Sequence, residues 1–266
     1  MSVKLTFLGT GGGRHATIYQ TRSTGGMIVD CGQRIQLDPG PGALVNMRNG
    51  KLDPADTDVI MVSHCHPDHY SDAEVLIEGM CKGGSESRGM LIGSMSVIDG
   101  FDNIGPCISN YHKRMAGSLK TIIPGDELQF NDVRVEITKS IHNDPTTVGF
   151  KFHTPDGIIS YVSDTSYSDE IADQYVGSRI LILPITTPDD RRIAGHLCTE
   201  DAIPFVNRVK PELTIFNHMG IYLIKLGPDE QTGRVSKATG YTVIAGTDLM
   251  TIEMEEDSIN VMQRQV

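Results

Sequence analysis

The chain has 266 residues, with 23 Lys and Arg against 34 Asp and Glu for a net charge of −11, 39% apolar residues and no Trp. That balance argues against a surface-wide electrostatic grip on nucleic acid and against a base-stacking platform, although bound cations could still draw in a small anionic substrate. There is no apolar run near the ~20 residues of a membrane span, no signal-peptide pattern in Met1–Leu5, and no CxxC among five scattered cysteines, so a cytoplasmic protein without membrane contact, disulfides or a Cys-type zinc site is expected.

Val3–Leu8 alternates and enters Gly9-Thr10-Gly11-Gly12-Gly13, which reads as a strand running into a tight loop that lets backbone pass close to a site. Gly26–Cys31 and Arg34–Leu37 read as strands. Asp38-Pro39-Gly40-Pro41-Gly42 reads as a turn before a short helix near Ala43–Met47. Thr57–Ser63 is apolar and β-branched, the pattern of a buried strand. Asp72–Met80 is expected to be a helix capped by Ser71. Periodicity is weak over 83–120, and 97–120, with Tyr111, His112, Lys113 and Arg114, reads either as a flap or as a surface insertion. Strands follow at Asp132–Ser140, Gly149–Thr154, Ile158–Ser163, Ile180–Pro184, Leu213–Phe216, Thr242–Ala245 and Leu249–Glu253. Helices fit Asp169–Tyr175 and Thr199–Val209, the latter capped by Thr199 and burdened by Pro204. Glu253 to Val266 reads as a loose tail. Two strand-rich halves with helices imply an α/β protein whose two sheets pack face to face under helices.

The densest chemistry is Ser63-His64-Cys65-His66-Pro67-Asp68-His69. In an extended segment His64 and His66 project to one side, so one metal can take both. Pro67 bends the chain, after which Asp68 and His69 face a neighbouring position, while Cys65 points away and packs. One loop cannot fill two coordination spheres. His142, Asp164 and His218 each follow an apolar strand, and strand ends at one edge would gather them. Imidazole and carboxylate ligands suit zinc, manganese or iron.

These residues, in this order, resemble the metallo-β-lactamase superfamily. The likeness extends to Phe7-Leu8-Gly9-Thr10-Gly11, to the Asp38–Gly42 turn, to His142 through Phe150 and to Tyr161-Val162-Ser163-Asp164-Thr165. It implies a single domain over 1–266, a four-layer αβ/βα sandwich of two mixed sheets. It also implies two divalent metal ions, preferentially zinc. One would be held by His64, His66 and His142, the other by Asp68, His69 and His218, with Asp164 bridging and a metal-activated hydroxide as nucleophile.

Gly195-His196-Leu197-Cys198-Thr199 and Asn217-His218-Met219-Gly220 resemble the tRNase Z and cyclic-phosphodiesterase branch. There a histidine at the position of His196 would assist the departing oxygen. Asp68 and His196 are therefore the candidate catalytic residues, and a small or nucleotide-type phosphodiester is the expected substrate. Only 21 residues lie between His142 and Asp164, too few for the basic arm of the tRNA-processing members. An RNA nuclease lacking that arm, a thioester or lactone hydrolase, and a metal-stabilised binding module are the alternatives. The di-iron oxygen-reducing branch is set aside because it has Glu where this chain has His66. Arg14, Arg22 and the Arg191-Arg192 pair could each hold an anion, Asp189-Asp190 could neutralise that pair, His15 and His153 are unassigned, and a homodimer is compatible with the resemblance.

Overall fold

The computed structural model describes residues 3–263. One compact unit comprises residues 3–9, 22–123 and 247–263. Its strands are β1 (Val3–Phe7), β2 (Met27–Asp30), β3 (Arg34–Leu37), β4 (Val59–Val62), β5 (Met90–Ser94), β6 (Ser118–Ile122) and the closing pair β15 (Thr251–Glu255) and β16 (Ser258–Met262). They form one sheet in the order β16-β15-β1-β2-β3-β4-β5-β6. Neighbours are antiparallel from β16 to β3 and parallel from β3 to β6. All four residues of β4 are buried, as a strand covered on both faces requires.

Helices Ala43–Gly50 and Ala73–Met80 supply Met47, Leu76, Ile77 and Met80 to a core with Ile28, Ile60, Val62 and Leu91, each such side chain contributing about 1.5–3 kcal/mol on full burial. Cys65 packs against this core, as expected. The helix over 73–80 has Asp72, not Ser71, at its N-cap position, because the Ser71 hydroxyl donates to the Pro67 carbonyl at 2.7 Å. The Asp72 carboxylate accepts instead from the N–H groups of Gly42 and Leu44 at 3.1 and 3.3 Å. The expected tail from Glu253 is corrected: β15 and β16 pair antiparallel over Thr251–Met262, and only its residues 264–266 lie outside the described residues. Within 97–120, the helix Asn110–Met115 starts at a Ser109 cap, and His112 reaches Glu74 and Glu78 at 3.2 and 3.3 Å.

The second unit comprises residues 10–21 and 124–246. Its strands are β7 (Glu127–Phe130), β8 (Val133–Lys139), β9 (Val148–Thr154), β10 (Gly157–Tyr161), β11 (Ile180–Thr187), β12 (Leu197–Cys198), β13 (Leu213–Asn217) and β14 (Thr242–Ala245). The sheet order is β14-β13-β11-β10-β9-β8-β7, with β12 beside β11. It is antiparallel from β7 to β10 and parallel from β10 to β14. A core of Leu181, Leu183, Phe205, Val206, Phe216 and Val235 lies under helices Thr199–Val209 and Pro228–Thr239.

Two local features depart from sequence expectation. The N-cap of the helix over 199–209 is Cys198, whose N–H donates to Asp201 at 3.0 Å, so Thr199 is already the first helical residue. β11 runs through Pro184 to Thr187, with all eight residues buried. A proline inside a central strand loses a ladder bond. Here β10 leaves the ladder first: its last bond to β11 is from the Val162 N–H to the Ile182 carbonyl at 3.0 Å. Backbone groups alternate sides along a strand, so residue 184 faces the same way as residue 182, beyond the last β10 bond. Its missing donor therefore breaks no bond between β10 and β11.

Candidate metal centre

In the first unit, β3 is the strand where antiparallel pairing gives way to parallel. Asp38 is the first residue past β3, and the histidine segment follows β4. The Asp38 carboxylate accepts from the Ser63 N–H at 2.7 Å, the Ser63 hydroxyl at 2.7 Å and His69 Nδ1 at 2.9 Å. Since the Ser63 hydroxyl gives its proton to Asp38, it accepts from His64 Nδ1 at 3.0 Å. One carboxylate thus fixes two imidazole tautomers, both with Nδ1 protonated and Nε2 carrying the lone pair, as metal-binding histidines require. His64 Nε2 faces His66 Nδ1 at 2.9 Å. Pro67 starts a four-residue helix, Pro67–Tyr70, with its fixed φ suited to the first helical position. That turn brings His69 Nε2 to 3.8 Å from Asp68 Oδ2. His64 and His69 are buried, and the Asp68 side chain is largely so.

In the second unit, β10 is the switching strand and Asp164 lies just past it. Asp164 Oδ2 is 3.8 Å from His142 Nε2 and 3.6 Å from His196 Nδ1, and Oδ1 is 3.3 Å from His218 Nε2. Asp164, His196 and His218 each offer a donor atom within 4.8 Å of the other two. His142 Nδ1 donates to the Gly195 carbonyl at 2.8 Å, so Nε2 carries the lone pair. Thr186 Oγ1 stands 3.2 Å from His196 Nδ1 and 3.1 Å from His218 Nδ1. His218 has φ +52°, a left-handed conformation that a non-glycine residue holds only where its surroundings dictate it. Two glycines make room: a Cβ on Gly12 would fall 2.2 Å from the His218 ring, and one on Gly195, at φ +78°, 2.9 Å from His142 Nδ1. The close backbone approach expected of the Gly9–Gly13 loop is therefore real at Gly12.

The donor sets fit divalent cations. Ligand atoms about 2.0–2.2 Å from a tetrahedral ion stand about 3.4 Å from one another, and the 3.3 and 3.8 Å from Asp164 to His218 and His142, with the 3.8 Å between Asp68 and His69, lie near that spacing. The sequence-predicted residues His64, His66, Asp68 and His69 come together in the first unit, and His142, Asp164, His196 and His218 in the second. Sequence reasoning missed Asp38, Gly195 and Thr186 as their partners, because Asp-Pro-Gly reads as a turn and the other two are remote in sequence from what they touch. His112 is engaged by Glu74 and Glu78, and His153 by Glu136 at 3.2 Å. Arg14 and His15 are exposed.

A family model described as a beta-lactamase superfamily domain matches residues 33–219. An uncharacterized protein of Methanocaldococcus jannaschii is 38% identical over 257 residues, 96% of each chain. A ribonuclease Z of Methanopyrus kandleri is 28% identical over 155 residues, 57% of this chain and 50% of that one. Among solved structures, the metallo-beta-lactamase fold protein YhfI from Bacillus subtilis superposes with a TM-score of 0.79 at 19% identity, covering 95% of this chain and 100% of that one. Among the described residues, no helix is long and apolar enough to cross a membrane.

Proposed function

The chain belongs to the β-lactamase superfamily and has the metallo-β-lactamase fold of metal-dependent hydrolases, and from that premise we propose that it is a two-metal phosphodiesterase acting on a small or nucleotide-type phosphodiester. One cation is assigned to His64, His66 and His142, the other to Asp68, His69 and His218, with Asp164 shared; zinc suits the set best. Bound cations acidify a water and neutralise charge on the phosphoryl oxygens.

The observation that carries the phosphodiester reading is His196. Its Nδ1 lies 3.6 Å from Asp164 and 3.2 Å from Thr186, so an imidazole left over from the ligand assignment sits among the ligands. An alkoxide is a poor leaving group and gains from a positioned proton donor, whereas a thiolate needs little such help. His196 is assigned to protonate the departing oxygen. Asp38, the Gly195 carbonyl and Thr186 hold the imidazoles in place. The likeness to a ribonuclease Z over part of the chain agrees with phosphodiester chemistry. RNA cleavage stands as the second reading, with net charge −11 against it.

Metal analysis followed by a substrate panel tests the proposal. The expected result is about two divalent ions per chain and metal-dependent hydrolysis of bis-p-nitrophenyl phosphate. A metal-loaded protein that cleaves a thioester or lactone and leaves every phosphodiester intact overturns it.

A further inference from the structure

The loop over 188–195 leaves β11 just after Thr186, whose hydroxyl meets the rings of His196 and His218. It returns at Gly195, whose carbonyl holds His142, and at His196 itself. Both ends are thus anchored among the imidazoles of the second unit. The helix Ile221–Leu226 starts three residues after His218, and the Gly220 N–H donates to the Thr186 carbonyl at 3.0 Å. The middle of the loop and the start of this helix meet at one contact, in which the Arg191 guanidinium lies over the Tyr222 ring, 4.1 Å from its centroid.

The sequence places two acids beside two arginines here, and the structure sorts them. Asp189 accepts from Arg234 at 2.7 Å and from the Glu200 N–H at 2.6 Å. Arg192 is bound by Asp201 at 2.8 Å and Glu200 at 3.2 Å. For Arg191 the nearest carboxylate among the described residues is Asp190, 4.0 Å from Nε, beyond hydrogen-bond range. Its side chain is 52% exposed. An aromatic face fixes a guanidinium's plane without using its N–H edge, and that edge is the part that grips an oxyanion in a two-pronged contact.

We propose that Arg191, seated on Tyr222, binds a second, non-reacting phosphate of the substrate, so that the preferred substrate is a phosphodiester carrying an additional phosphate group. This rests on the phosphodiesterase reading above. In a protein of net charge −11, such a cation on the loop that leads into His196 selects among anionic substrates.

A matched pair of esters tests it: p-nitrophenyl propyl phosphate, and the same diester with a phosphate on the far end of the propyl chain. The wild type is expected to favour the phosphate-tagged ester by about tenfold or more in kcat/KM, mainly through KM, as a charge-assisted bidentate contact provides. R191A loses most of that ratio, R191K keeps part of it, and Y222F, which retains the ring, keeps nearly all. Calorimetric titration with inorganic phosphate gives a second readout, in which R191A loses one binding site or about tenfold in Kd. A wild type indifferent to the extra phosphate, or an R191A variant that keeps the preference, overturns the inference while leaving the phosphodiesterase reading intact. If neither ester is cleaved that reading falls, and the titration alone decides the role of Arg191.

Discussion

Asp38 and Asp164 occupy corresponding places in the two sheets. Each follows the strand at which antiparallel pairing turns parallel, β3 in one unit and β10 in the other. Their surroundings differ. Asp38 is held at 2.7–2.9 Å by a backbone N–H, a hydroxyl and an imidazole, distances at which a carboxylate is fully engaged in hydrogen bonds. The His218 and His142 nitrogens near Asp164 stand 3.3 and 3.8 Å away, a spacing that suits donors sharing a cation. The same topological position thus yields a carboxylate that orients imidazoles in one sheet and, in our reading, one that serves as a ligand in the other.

Substitutions can break this contrast. Asp164→Ala should have the largest effect, a loss on the order of 10³-fold in kcat with depleted metal content; a variant that keeps its full metal complement would remove Asp164 from the ligand set. His196→Ala should cost about 100-fold or more on an alkyl phosphodiester and little on one with a p-nitrophenolate leaving group; equal losses on both would mean that His196 does not deliver a proton. Asp38→Asn should weaken metal binding by about 10–100-fold, as changes behind a ligand typically do, read by competition with a chelator. Parity with Asp164→Ala would erase the distinction drawn above.

Smaller effects sharpen it. Gly12→Ala drives a methyl into the His218 ring and should cost about 1–3 kcal/mol in denaturant unfolding, together with a shift in metal affinity. Glu74, a partly exposed carboxylate, provides a further contrast. Burial pushes its carboxyl up, but hydrogen bonds from Ser109 and the His112 charge outweigh that and hold its pKa below the ordinary value. Its contribution is therefore present above the unfolded-state pKa and lost as pH falls through the lowered folded one. Glu74→Gln should cost below about 1 kcal/mol at neutral pH, a difference that fades in acid.

The histidine segment was legible because its candidate ligands are local: spacing alone puts His64 and His66 on one side, and Pro67 marks the turn to Asp68 and His69. β4, β10 and β13 announced themselves by short stretches rich in apolar and β-branched residues, and the candidate ligands at their tips followed. β5, with Gly93 and Ser94, and β6, exposed at three of its five positions, lack both alternation and an apolar run. β16 is partly or fully exposed throughout, so its residues read as polar tail. The helix Pro228–Thr239 had its punctuation in plain view, Pro228 at the first position and Gly240 past the end, but too few apolar residues to draw attention. Asp38 could not be recognised from sequence, since its role depends on residues 25 and 31 positions away.

Pro184 weighs against lengthening β10 along β11. Another residue there would offer an amide hydrogen beyond the last β10 bond, and Ser163 and Asp164 could follow the strand. Proline keeps its carbonyl but withholds that hydrogen, so any added step starts one hydrogen bond short. The bias keeps the Asp164 carboxylate off the ladder, and it is written into the covalent backbone rather than into any side-chain contact.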